Sequence, residues 1–199
     1  MQIRKGQLPI LIFNLCVLAG FSVHFLTQKN YEFILYVGVI IFFVCVFIYS
    51  NSKVYYPNAL LWGLSIWALM HLAGGAIYVN EAKLYEMILI LLSDKHPVFR
   101  YDQLVHIFGF GTATVALFYV LKPLLRSDLK SWTALSIITA AAGLGVGAFN
   151  EILEFLVTVF VPETGVGGYT NTSLDLVANL IGALIALVII RIANRIPSP

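Results

Sequence analysis

Tyr31-Glu32-Phe33-Ile34-Leu35-Tyr36-Val37-Gly38-Val39-Ile40-Ile41-Phe42-Phe43-Val44-Cys45-Val46-Phe47-Ile48-Tyr49 is long enough and apolar enough to cross a lipid bilayer as one helix. The hydrocarbon core of a bilayer is about 30 Å thick and takes about 20 such residues to span. Five further stretches read the same way: Leu8–Leu26, Ala59–Val79, Tyr101–Leu121, Trp132–Phe160 and Thr172–Arg191. Turn and charge signals separate them, among them Gln28-Lys29-Asn30, Ser50-Asn51-Ser52-Lys53 and Lys122-Pro123. The sequence therefore predicts an all-α polytopic bundle of about six transmembrane helices, with residues 1–199 as a single integral membrane domain.

Composition agrees. Of the 199 residues, 60% are hydrophobic and 11% charged, against about a quarter charged in soluble domains. A formal charge of +2 is too small to point to a nucleic-acid partner; membrane lipids are the expected surroundings. Arg4 and Lys5 precede the first run, but no small-x-small cleavage site follows, so that run reads as a span rather than a signal peptide. Cys16 and Cys45 lie inside apolar runs and read as reduced packing residues.

Two stretches depart from the simple pattern. Trp132–Phe160 has 29 residues, about 43 Å of helix at 1.5 Å per residue. Gly143, Gly145 and Gly147 lie within it, which favours a tilted, closely packed helix over a functional break. Glu81–Leu92 is too short to span, yet Leu84, Met87, Ile88, Leu91 and Leu92 follow helical spacing. That spacing predicts an in-plane interfacial helix covering the mouth of a cavity.

Loop charges set an orientation. With the N-terminus inside, eight Lys and Arg fall on the cytoplasmic side (Arg4, Lys5, Lys53, Lys122, Arg126, Lys130, Arg191, Arg195). Four fall outside: Lys29, Lys83, Lys95 and Arg100. The positive-inside rule then gives N-in and C-in.

In that orientation the polar residues of four spans gather in the outer leaflet: His71, Asp102 with His106, Glu151 with Glu154, and Asn171, Asp175 and Asn179. Asp102 and His106 are i,i+4 and Glu151 and Glu154 are i,i+3, so each pair shares a helix face; steps of four make a ladder of the last three. Asn150 precedes Glu151, and Arg100 and Tyr101 precede Asp102. A charge near the bilayer centre costs at least about 2.5–3.5 kcal/mol, so four carboxylates need compensation. Arg100 can offset one, protonation can neutralise others, and a divalent metal is the third source. Two imidazoles and several carboxylates suit zinc, iron or manganese, with zinc the first candidate. His71, His106, Glu151 and Asp175 are the expected ligands, and Glu154 and Asp102 the catalytic carboxylates. Arg100, Tyr101, Asn150, Asn171 and Asn179 are expected around them, orienting ligands or substrate. Bland readings exist for single residues: His71 as a bond across a close helix contact, Asp102 as a helix cap, Glu163 as a solvated loop charge, His96 as interfacial.

The stretches Tyr101-Asp102-Gln103-Leu104-Val105-His106-Ile107-Phe108-Gly109-Phe110, Asn150-Glu151-Ile152-Leu153-Glu154 and Asn171-Thr172-Ser173-Leu174-Asp175-Leu176-Val177-Ala178-Asn179-Leu180-Ile181-Gly182-Ala183 resemble the YjdF-like family of bacterial and archaeal membrane proteins, itself distantly similar to VanZ-type proteins. The resemblance covers about the last 130 residues, from His71 onward. It implies a prokaryotic cytoplasmic membrane and a shared polar site, but no reaction. One departure is Asn171, where the family pattern carries an aspartate, so a ligand or proton carrier is missing at 171.

Three functions fit this reading. One is a metal-dependent hydrolase of a lipid or envelope precursor. Another is a proton- or cation-coupled transporter using the same carboxylates and imidazoles. The last is a non-catalytic lipid-binding or resistance protein.

Overall fold

The computed structural model describes residues 3–91, 99–125, 132–161 and 164–194. Six helices are long and apolar enough to cross a membrane: α1 (Gln7–Thr27), α2 (Tyr31–Ser50), α3 (Asn58–Ala76), α4 (Tyr101–Leu121), α5 (Trp132–Phe160) and α6 (Tyr169–Asn194). Local chemistry marks several of their ends. The Asn30 side chain accepts the Phe33 amide at 3.1 Å and caps α2, and Pro57 precedes α3. At the start of α4 the Arg100 amide donates to Gln103 Oε1 at 2.9 Å.

α4 lies at the centre, packed against α6, α5 and α3, while α1 packs on α3 and α2. Glycines make the closest approaches. Gly111 of α4 faces the backbone of Gly182 on α6, Gly143 of α5 faces Thr114, and Gly147 faces Asn179. α5 runs unbroken through its glycines, as the tilted-helix reading expects. Large apolar side chains such as Phe42, Phe155, Val188 and Ile192 stay exposed, which suits a surface wetted by lipid. Cys16 and Cys45 are exposed as well. They pack against the surroundings rather than the protein interior, which corrects the sequence reading.

The stretch after α3 is the main correction. Glu81–Leu91 forms no interfacial helix; Leu92 lies outside the described residues. β1 (Tyr78–Val79) and β2 (Ala82–Lys83) form an antiparallel hairpin, whose two loop residues, Asn80 and Glu81, have φ of 50° and 69°. Positive φ at both loop positions is the signature of a tight hairpin turn, and it starts the chain in a direction no helix can continue. A 3-10 turn at Leu84–Glu86 follows. Then β3 (Ile88–Ile90) pairs with β4 (Phe99–Arg100), directly before α4. Strand pairing overrides the helical spacing of the apolar residues. The segment nevertheless stays at the expected place: the Tyr101 amide donates to Met87 O at 2.9 Å, and Tyr85 reaches His71.

Glu32 ties this end of the bundle together. Buried at the start of α2, it accepts the Gly165 amide at 2.8 Å from the α5–α6 connection, and Lys83 Nζ of the hairpin lies 3.9 Å away.

Candidate functional site

At the hairpin end, the first turns of α4 and α6 lie side by side. Their step-of-four spacing turns Asp102, Gln103 and His106 towards Asn171, Asp175 and Asn179. Asp175 and Asn179 are fully buried, and Gln103 and His106 nearly so. Two carboxamides hold the Asp175 carboxylate: Gln103 Nε2 donates to Oδ1 and Asn171 Nδ2 to Oδ2, each at 2.6 Å. The same groups reach Asp102 Oδ2, at 3.4 Å from Gln103 and 3.1 Å from Asn171. Asp102 and Asp175 are thus cross-braced by neutral donors. Asp102 does not cap α4; it lies in the first turn with its carboxylate on this bracing.

His106 stands between two pairs of acids. Its Nδ1 lies 3.0 Å from Asn179 Oδ1. A carboxamide oxygen only accepts, so Nδ1 carries the proton and Nε2 presents a lone pair. Nε2 is 3.6 Å from Asp102 Oδ1. Two ligand atoms on one tetrahedral zinc lie about 3.4 Å apart, given metal–ligand distances near 2.1 Å. Asp102, His106 and Asp175 offer ligand atoms that all lie within 4.8 Å of one another. This trio fits a divalent ion in donor type and spacing, and the amides on Asp175 are the outer partners that orient such ligands.

The other edge of the imidazole faces α5. His106, Glu151 and Glu154 form a second group within the same 4.8 Å limit, and Glu151 Oε1 lies 3.8 Å from His106 Nδ1. Because Nδ1 is spent on Asn179, it cannot ligate on this side. Asn150 Nδ2 orients Glu154 through Oε1 at 2.8 Å. Among the described residues, neither oxygen of buried Glu151 nor Nδ2 of buried Asn179 has a hydrogen-bond partner. An unpaired buried carboxylate is costly unless a proton or cation neutralises it.

His71 needs a correction. It belongs to neither ligand-competent group among the described residues. Its Nδ1 meets the Tyr85 hydroxyl at 2.5 Å, and its ring is enclosed by Trp67, Tyr36 and Phe33. Burial, reinforced by Asp102 and Glu154, pushes the Tyr85 hydroxyl well above its ordinary range, so Tyr85 remains a phenol and shares a hydrogen bond with Nδ1. Of the ligands expected from the sequence, His106, Glu151 and Asp175 fall in one or other of the two groups with ligand spacing, Asp102 and Glu154 complete those groups, and His71 is in neither among the described residues. Arg100 makes no ion pair with these carboxylates among the described residues, so its expected compensation is absent. Tyr101 turns away to donate to Met70 O at 3.2 Å. His96 and Glu163 lie outside the described residues.

Gln103 and Tyr85 escaped the sequence reading. Gln103 was within reach of it, since it follows Asp102 and precedes His106 by three, on the same helix face. Tyr85 carried no signal, because only the hairpin brings it to His71.

Residues 9–195 match the family described as "Predicted membrane protein (DUF2238)". The chain belongs to the DUF2238 family. The match includes every residue of the site, and the YjdF-like resemblance of the motifs is consistent with DUF2238, whereas it lends no support to a VanZ-type relation. No curated protein and no solved structure matches the chain.

Proposed function

We propose that this DUF2238 protein is a metal-dependent membrane hydrolase acting on a lipid or envelope precursor. The observation that carries the reading is the trio of half-buried Asp102 with buried His106 and Asp175, with ligand atoms within 4.8 Å and Asp175 braced by two carboxamides. Two carboxylates and an imidazole leave the fourth position of a zinc site for water. The metal supplies a water whose pKa falls to about 7. Glu154, oriented by Asn150, would serve as the general base toward such a water.

The loop distribution of Lys and Arg in the sequence supports an orientation with both termini in the cytoplasm. The site then lies in the outer leaflet of a prokaryotic cytoplasmic membrane, within reach of lipids.

Elemental analysis of detergent-purified protein tests the reading. Wild type should carry stoichiometric zinc, and His106→Ala none. Glu154→Gln should keep the metal while losing hydrolysis. If wild type prepared without chelator holds no metal, and added zinc does not raise its melting temperature, the hydrolase reading fails. The unpartnered oxygens of Glu151 favour a second reading in that case, a proton- or cation-coupled transporter whose carboxylates carry protons.

A further inference from the structure

Directly beneath the site, on the side away from the hairpin, lies an apolar cavity of about 340 Å³, within the size range of small-molecule sites. We infer that it holds one alkyl chain of the molecule whose polar end occupies the site. This deepens the hydrolase reading, on which the assignment of the polar end rests, by naming the substrate class: an amphiphile with a single hydrocarbon chain in the pocket.

Three helices carry the argument, because each turns from polar to apolar along one face. On α4 the stripe runs Asp102, His106, Phe110, Ala113, Leu117, and the last three line the cavity. The His106 and Phe110 rings are in contact, with centroids 5.4 Å apart. On α5, Glu154 leads one turn down to Asn150, which both orients Glu154 and lines the cavity, and then to Val146. On α3, His71 stacks on Trp67, which lines the cavity with Leu64. The same faces that hold carboxylates and imidazoles above hold hydrocarbon below, and that gradient matches an amphiphile.

Four polar side chains in the wall are spent on one another. Gln7 and Asn51 exchange hydrogen bonds at 3.2 and 2.8 Å at the far end, and Asn14 donates to Ser65 Oγ at 2.6 Å. A ligand with polar groups along its length would find those partners already engaged, whereas a plain chain needs none. From Gly109 to Val120, both lining residues, α4 rises about 16 Å, which gives the chain depth as well as volume.

The test uses full-length protein with Trp67 as its single tryptophan (Trp62→Phe, Trp132→Phe), reconstituted in nanodiscs. The probe is phosphatidylglycerol with acyl chains brominated at mid-chain, compared with the unbrominated lipid. A chain in the cavity should quench Trp67, and Ala113→Phe or Val146→Phe, which fill the cavity from two helices, should restore emission. Delipidated protein in detergent, titrated with the brominated lipid, gives the answer without altering the cavity: quenching should saturate at one lipid per protein. Absence of quenching, quenching that rises without saturation, or quenching indifferent to both fillers would overturn the proposal. Zinc measured on the same samples separates the two readings. Metal without saturable quenching overturns the chain site alone, and saturable quenching without metal overturns the hydrolase alone.

Discussion

Asp175 has no exposed atom and two amide donors at 2.6 Å, so its neighbours decide what it can bind. Gln103→Leu removes one donor and leaves the carboxylate free to turn; zinc affinity should fall about 10–100-fold, the usual cost of losing an outer partner of a ligand. Isothermal titration of zinc into metal-free protein measures this, and an unchanged affinity would remove Gln103 from the site. His71→Gln, by contrast, should retain stoichiometric zinc by elemental analysis, because Tyr85 holds Nδ1 and the ring lies outside both ligand groups. Loss of metal in that variant would restore His71 to the ligand set. In the sequence both histidines were ligand candidates on apolar helices, His106 one turn from Asp102 and His71 with no carboxylate on its own helix. What distinguishes them is the group on each Nδ1, a carboxamide oxygen of Asn179 for His106 and the Tyr85 phenol for His71. Those contacts cross between segments far apart in the chain, and no spacing rule reports them.

The six helices were legible because a bilayer demands long apolar runs, and those runs end close to where the helices do. The hairpin was not. Its apolar residues follow a helical period over too few turns for period alone to arbitrate, and the deciding feature is a pair of positive φ angles at Asn80 and Glu81. The glycines divide in a way the sequence also leaves unmarked. A Cβ on Gly182 would meet Gly111 N at 2.8 Å and the backbone of Ile107 closer still, so Gly182→Val should push α6 from α4 at a cost of about 1–3 kcal/mol and lower the melting temperature. Nothing lies within 4 Å of a Cβ on Gly145, and Gly145→Ala should instead stabilise α5 by up to about 1 kcal/mol through helix propensity. Thermal unfolding in one detergent compares the pair, and equal shifts would contradict the packing described for α4 and α6.

For the molecule as a whole, the orientation of the bundle decides which face of the membrane the site addresses. A phosphatase or fluorescent-protein reporter fused at Gly167 should read external, and one fused at Leu125 cytoplasmic; the reverse pattern would move the site to the cytoplasmic leaflet with its geometry intact. Loop charge was the only guide to this in the sequence, and the bundle alone has no preferred side. The Glu32 carboxylate, finally, makes two distant connections report on each other. It grips the Gly165 amide and faces Lys83, so the Gly165 N–H, though outside any helix, should exchange with deuterium as slowly as a helical amide. In Glu32→Gln, faster exchange at Gly165 should be accompanied by faster exchange across Tyr78–Lys83, because one side chain closes both segments over the site and neither can open unnoticed by the other.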